Sequence, residues 1–191
     1  MKHIRTFVCI EIEDELRRKM SQVSAKLSAA GAEVKWVAEE NLHLTLKFLG
    51  GVDETLINEV SAAVGEVAGR FEPFDVTLAG VGAFPGGGSP KVIWCGLQET
   101  TGKLEKLYYA LNKALRPYAE KEEHRKFSPH ITLGRARSGR GREGLKDLIE
   151  DNRETEIGAQ AVDTLTVMMS ELTPKGPIYT PLSKSPLGGG G

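Results

Sequence analysis

The chain has 191 residues, 40% apolar and 27% charged, with a formal net charge of −1 at pH 7. That length suits one domain, or one domain in two lobes, and is enough to bury a core without disulfide staples. The near-zero charge argues against a generic nucleic-acid binder, which carries a large basic surplus, and leaves a nucleic-acid substrate to be met by local basic groups.

Residues 4–12 (IRTFVCIEI) are rich in β-branched and aromatic side chains and read as a strand. They begin like a signal peptide, but Glu11, Glu13 and Asp14 cut the apolar run short. No later window approaches the length of a membrane span, so a soluble, cytoplasmic protein is expected. Asp14 is placed to cap a helix whose stripe is Leu16, Met20, Val23 and Leu27, with Gly31 as its stop. Residues 33–37 form a short strand. Residues 42–49 (LHLTLKFL) alternate strictly, with Leu42, Leu44, Leu46 and Phe48 on one face and His43, Thr45 and Lys47 on the other. That pattern sends Phe48 to the core and sets Lys47 beside His43.

Asp53 is placed to cap a second helix carrying Leu56, Ile57, Val60, Val64 and Val67, closed by Gly69. Strands at 74–84 and 91–97 flank the loop 85–90 (PGGGSP), which lacks the Lys-Ser/Thr pair and the following helix of a phosphate-binding P-loop. A third helix spans about 101–115, with Leu104, Leu107, Tyr108, Leu111 and Leu115 on one stripe and Pro117 just beyond. Pro129 holds Ser128 extended, and residues 130–134 begin another strand. A Gly/Arg-rich loop, a short helix near 143–150 and strands at 161–172 and 178–182 follow. The tail 185–191 (SPLGGGG) has nothing to bury and is expected to be disordered. One hairpin and several short β–β steps break any doubly wound pattern. The fold class is therefore α+β with mostly antiparallel sheets, in one domain over 1–184. Cys9 and Cys95 each fall in an apolar strand outside any CxxC pair and read as buried free thiols. Trp36 and Trp94 read as core, His3 and His124 as surface.

His-Leu-Thr-Leu at 43–46 recurs as His-Ile-Thr-Leu at 130–133. In a strand, residues i and i+2 share a face, so each motif aims one imidazole and one hydroxyl together. Two such strands side by side surround a small cavity with two imidazoles and two hydroxyls. That set suits in-line attack at phosphorus. One neutral His accepts a proton from the nucleophile, one protonated His supplies the leaving oxygen, and the Thr hydroxyls donate to oxygens gathering charge. The sequence shows no HxxxH, HExxH or paired Cys, so neither a metal nor another cofactor is expected.

These residues resemble the two-histidine phosphoesterases, in the branch of the RNA 2',3'-cyclic phosphodiesterases (2'-5' RNA ligases). The resemblance is carried by RTFVCIEI at 5–12, KWV at 35–37, NLHLTLKFLG at 41–50, FSPHITLGR at 127–135 and MSELTPKGPIYTPL at 169–182. It implies two pseudo-symmetric lobes, helices on their outer faces and a cleft between them. It implies hydrolysis of RNA 2',3'-cyclic phosphate ends to 2'-phosphates and, in some members, reversible 2'-5' ligation. By the family pattern, His43 is the general acid toward the departing 3' oxygen and His130 the general base toward water. Thr45 and Thr132 hold the phosphate, Phe48 stacks on the terminal base and Arg135 lies near the phosphate. The partners so implied are RNA ends such as those of tRNA fragments, met by a monomer away from any membrane.

Residues 124–142 hold six Lys or Arg and no Asp or Glu, which suggests contact of Arg137, Arg140 and Arg142 with an RNA backbone. Two other functions fit the same motif. An enzyme acting on a small cyclic phosphate or cyclic nucleotide would prefer mononucleotides to oligonucleotides, and a non-catalytic RNA-end binder would bind without turnover.

Overall fold

The computed structural model describes residues 2–86, 89–121 and 126–188. His124, Gly87, Gly88 and the tail glycines 189–191 lie outside these described residues. Two antiparallel sheets form the framework. The first has the order β3-β1-β8-β9, from β1 (His3–Glu11), β3 (His43–Asp53), β8 (Thr164–Thr173) and β9 (Gly176–Pro186). The second has the order β2-β6-β5-β4-β7, from β2 (Val34–Trp36), β4 (Phe74–Phe84), β5 (Val92–Gln98), β6 (His130–Ala136) and β7 (Glu156–Val162).

Each sheet is covered on one face by two helices. Helix α2 (Ile57–Ala68) lies on β8 and β9, and α3 (Lys103–Ala114) on β3, while α1 (Asp14–Ser28) lies on β6 and β7 and α4 (Arg142–Asp151) on β4. The apolar stripes read from sequence are the packed ones: Leu16, Met20, Val23 and Leu27 on α1, Val60, Val64 and Val67 on α2, Leu104, Leu107 and Leu111 on α3. Burying one such side chain contributes about 1.5–3 kcal/mol, which is why the stripes decide where the helices sit. The other face of each sheet is left bare. Strands β3 and β6 approach each other where the sheets meet, so the bare faces share one cleft.

Several local expectations change. Glu13, not Asp14, precedes α1, and Asp14 sits in its first turn, where a carboxylate suits the helix dipole. Asp53 caps a 3₁₀ turn at Glu54–Leu56, accepting from the Thr55 backbone N–H at 3.0 Å, and α2 starts only at Ile57. The strand expected over 161–172 is two strands in different sheets, β7 and β8, parted at Asp163. The first half of β7 is not legible in the sequence because a buried position carries Gln160. Its amide donates to the Glu11 carbonyl (3.0 Å) and accepts from the Glu13 N–H (3.0 Å), binding β7 to the end of β1. Residues 185–188 are not a free tail. Ser185 and Pro186 complete β9, and Leu187 is 6% exposed, its N–H donating to the Asp163 carbonyl at 2.7 Å.

Candidate active site

His43 opens β3 opposite Glu11 of β1, with Thr45 opposite Cys9. Its Nδ1–H donates to the Asn41 carbonyl at 2.7 Å, which fixes the tautomer and turns Nε2 toward Thr45 Oγ1, 2.9 Å away. The ring stacks on Phe7 (centroids 4.8 Å, planes 27° apart) and meets the edge of Tyr179 at 5.2 Å. Burial among these rings pushes the imidazole pKa below its ordinary value, and the bond to Asn41 only partly opposes it. Cys9 lies on the same face. Burial pushes its thiol up to about 12, so it stays protonated and is no nucleophile at neutral pH. Cys95, buried on the helix-covered side of β5, is likewise a free thiol pushed to about 12.

His130 repeats the first half of this arrangement. Its Nδ1–H donates to the Ser128 carbonyl, again two residues back and again at 2.7 Å, and Phe84 meets the ring edge-on at 5.1 Å. Thr132 shares its strand face, opposite Trp94 of β5. Among the described residues, Nε2 of His130 has no hydrogen-bond partner. Trp36 packs against the core as expected. Trp94 does not: its register with Thr132 sets it on the cleft face, tilted against Phe84 at 5.3 Å and over Gly82, where a Cβ would collide with the indole.

The strict alternation read over 42–49 fails in the middle of β3. The register with β1 slips twice, once between the partners of Val8 and Cys9 and once between those of Thr6 and Phe7, so Leu46 and Leu49 are extra residues. The first bulge carries Lys47 to the side of Val8, where it is 5% exposed, away from His43. The same bulge leaves Phe48 opposite Phe7 on the cleft face, 44% exposed and out of the core, with the Arg5 guanidinium 4.5 Å above its ring. Gly50 makes the return possible, with φ of 81° and Glu120 lying where a side chain would stand.

Arg135 of β6 reaches the same space. Burial raises the Tyr179 phenol, and the positive charges of Arg5 and Arg135, one from each sheet, oppose that shift. The sequence by itself leaves Tyr179 undecided and does not single out Arg5, Phe7 or Phe84. The alternation of Arg5, Phe7 and Cys9 in RTFVCIEI is the available signal. Arg142 departs from the expectation for the basic loop, because its Nε donates to the Ser138 carbonyl (2.8 Å) and its Nη1 to Ser89 Oγ, tying the loop to the β4–β5 connection. Arg137 and Arg140 are exposed. Beside His43 the cleft deepens into a recess of about 330 Å³ between the segment 40–42, Glu11 and the β8–β9 hairpin.

A sequence profile described as "LigT like Phosphoesterase" matches residues 10–94 and again 96–179. Each matched segment holds one His-x-Thr strand. The chain belongs to the LigT-like phosphoesterase family. An RNA 2',3'-cyclic phosphodiesterase of Thermotoga maritima is 39% identical over 98% of this chain and 97% of its own length. Among solved structures, TT0787 of Thermus thermophilus superposes with a TM-score of 0.81 at 29% identity, covering 97% of this chain and 98% of that one. E. coli LigT complexed with 3'-AMP gives 0.76 at 28% identity, with 97% and 98% covered. The two-lobed framework of this family is the two sheets described above.

Proposed function

We propose that this chain hydrolyses the 2',3'-cyclic phosphate at an RNA end to a 2'-phosphate, with His43 and His130 as the acid–base pair. The observation that carries the reading is the repeated anchoring of two imidazoles. Each Nδ1 proton is spent on a backbone carbonyl, so each Nε2 is the atom presented to a substrate. A water oxygen attacks phosphorus opposite O3' and gives its proton to Nε2 of His130. The P–O3' bond breaks, and O3' takes a proton from Nε2 of His43. Thr45 and Thr132 donate to the non-bridging oxygens as charge gathers there, and Arg135 adds positive potential.

In the free protein, burial holds His43 neutral near pH 7. A bound phosphate brings negative charge beside it and raises its pKa, so the acid proton is taken up with the substrate. Phe48 offers an exposed ring for the terminal base, with Arg5 already over one face. Exposed Arg137 and Arg140 extend positive charge from the β6 end toward an RNA backbone. Both histidines come from one chain, which supports action as a monomer. RNA ends such as those of tRNA fragments in the cytoplasm would supply the substrate.

The reading is tested by incubating the protein, in excess EDTA, with an oligonucleotide ending in a 2',3'-cyclic phosphate. Conversion to a 2'-phosphate is expected. No turnover, or turnover only of mononucleotide cyclic phosphates, would move the function to binding or to a small cyclic phosphate.

A further inference from the structure

The recess beside His43 is walled on one side by Met168, Pro177, Ile178, Tyr179 and Pro181 and on the other by Glu11, Arg17, Glu40 and Asn41. Its polar atoms are not equivalent. Arg17 gives one N–H to Asp14, and its charge helps to lower the Glu11 pKa. Asn41 gives one amide N–H to the Pro177 carbonyl at 3.1 Å, which holds its side chain in the wall with Oδ1 open as an acceptor. Glu11 accepts from Thr166 Oγ1 (2.7 Å) and Lys184 Nζ (3.2 Å), and these bonds lower its pKa although burial alone would raise it. Glu40 is exposed and has no hydrogen-bond or ion-pair partner among the described residues. Glu40 and Asn41 Oδ1, adjacent on the segment 40–42, are the acceptors still open on that wall. A flat, uncharged ring bearing N–H donors meets these open acceptors and the apolar wall together.

The recess is also a different place from Phe48. Asn41 and Phe48 lie seven residues apart on either side of His43 and Thr45, and a strand spans about 3.3 Å per residue. A phosphate held between His43 and Thr45 is thus flanked by two ring-accepting positions.

We propose that the recess is a nucleobase subsite that favours bases carrying an exocyclic amino group. This rests on the cyclic-phosphate reading of the cleft. The base is either that of the terminal nucleotide or that of its 5' neighbour, and the chemistry recognised is the same.

The test is kcat/KM on two substrate pairs. Cytidine against uridine 2',3'-cyclic phosphate varies the amino group on the terminal base. The dinucleotides CpU and UpU, each ending in the cyclic phosphate, vary it on the upstream base. The wild type is expected to prefer the amino-bearing member of one pair by about fivefold, as for a partly exposed hydrogen bond to a charged acceptor. The pair that shows the preference tells which base enters. Glu40→Ala should abolish the preference, Ile178→Ser should slow both members of that pair without changing their ratio, and Glu143→Ala on α4 should leave the ratio as it is. Equal rates within both pairs, or a preference that survives Glu40→Ala, would overturn the subsite. Failure to turn over any of the four substrates would instead overturn the cyclic-phosphate reading itself.

Discussion

His43 and His130 each begin a strand, each give the Nδ1 proton to a carbonyl two residues back at 2.7 Å, and each rest against an aromatic ring. They part at the other nitrogen. Nε2 of His43 is held at 2.9 Å by Thr45 in a pocket closed by Phe7 and Tyr179, and that burial depresses its pKa. Nε2 of His130 has no such partner among the described residues, and β6 leads on to a basic, exposed loop. A repeated motif can fix the same side-chain orientation twice while the surrounding strands give the two copies different environments.

The largest expected effect treats the halves alike. His43→Ala and His130→Ala should each lower kcat by at least about 10²-fold, as loss of a general acid or base does. The double variant should be scarcely worse than either single one, because the two act in one concerted step. Independent, multiplying losses would break the picture of a shared transition state.

Removing the hydroxyls should separate the halves. Thr45→Val and Thr132→Val should each cost about 10-fold or more in kcat if both donate to the phosphate. Only Thr45→Val should also move the pH limb of His43, because of the two threonines only Thr45 touches a histidine Nε2 among the described residues. An unmoved limb would mean that the 2.9 Å contact does not persist in solution.

The pH dependence should follow from the burial of His43. A general acid must be protonated, and the His43 pKa is lowered in the free protein. The alkaline limb of kcat/KM, which reports the free enzyme, should therefore lie below the ordinary imidazole value of about 6.5. The alkaline limb of kcat, which reports the bound enzyme, should lie higher, because the phosphate's charge restores the proton. Coincident limbs would contradict uptake of the proton with substrate.

The smallest effect concerns the loop on the His130 side. Arg137→Gln and Arg140→Gln should each flatten the salt dependence of KM for an oligonucleotide by about one counterion. Arg142→Gln should instead loosen the loop, read as a lower Tm with the salt slope kept, since that side chain is committed to Ser138 and Ser89.

Both His-x-Thr strands are legible in the sequence because period 2 needs no partner strand to be recognised, and the helix stripes are legible for the same local reason. The placement of Lys47 and Phe48 is not. A bulge is one residue too many relative to the neighbouring strand, so it is set by how β3 pairs with β1. The sequence of β3 alone shows only the glycine that permits it. The run FVCI in β1 is apolar on both faces, so its alternation does not say that Phe7 and Cys9 line the cleft while Val8 and Ile10 join the core. Size alone places Trp94 in the core, whereas its register opposite Thr132 sets it on the cleft face. β7 is hidden by Gln160, a polar residue buried because both ends of its amide are satisfied by the β1 exit.

The division of labour between the two histidines is the central claim, and a leaving-group substitution tests it most directly. In a substrate whose bridging 3' oxygen is replaced by sulfur, the thiolate departs without needing a proton. His43→Ala should then regain most of its lost rate relative to wild type, while His130→Ala, still lacking a base for water, should stay slow. Equal loss in both variants on the sulfur substrate, or rescue of His130→Ala alone, would contradict the assignment of acid to His43 and base to His130.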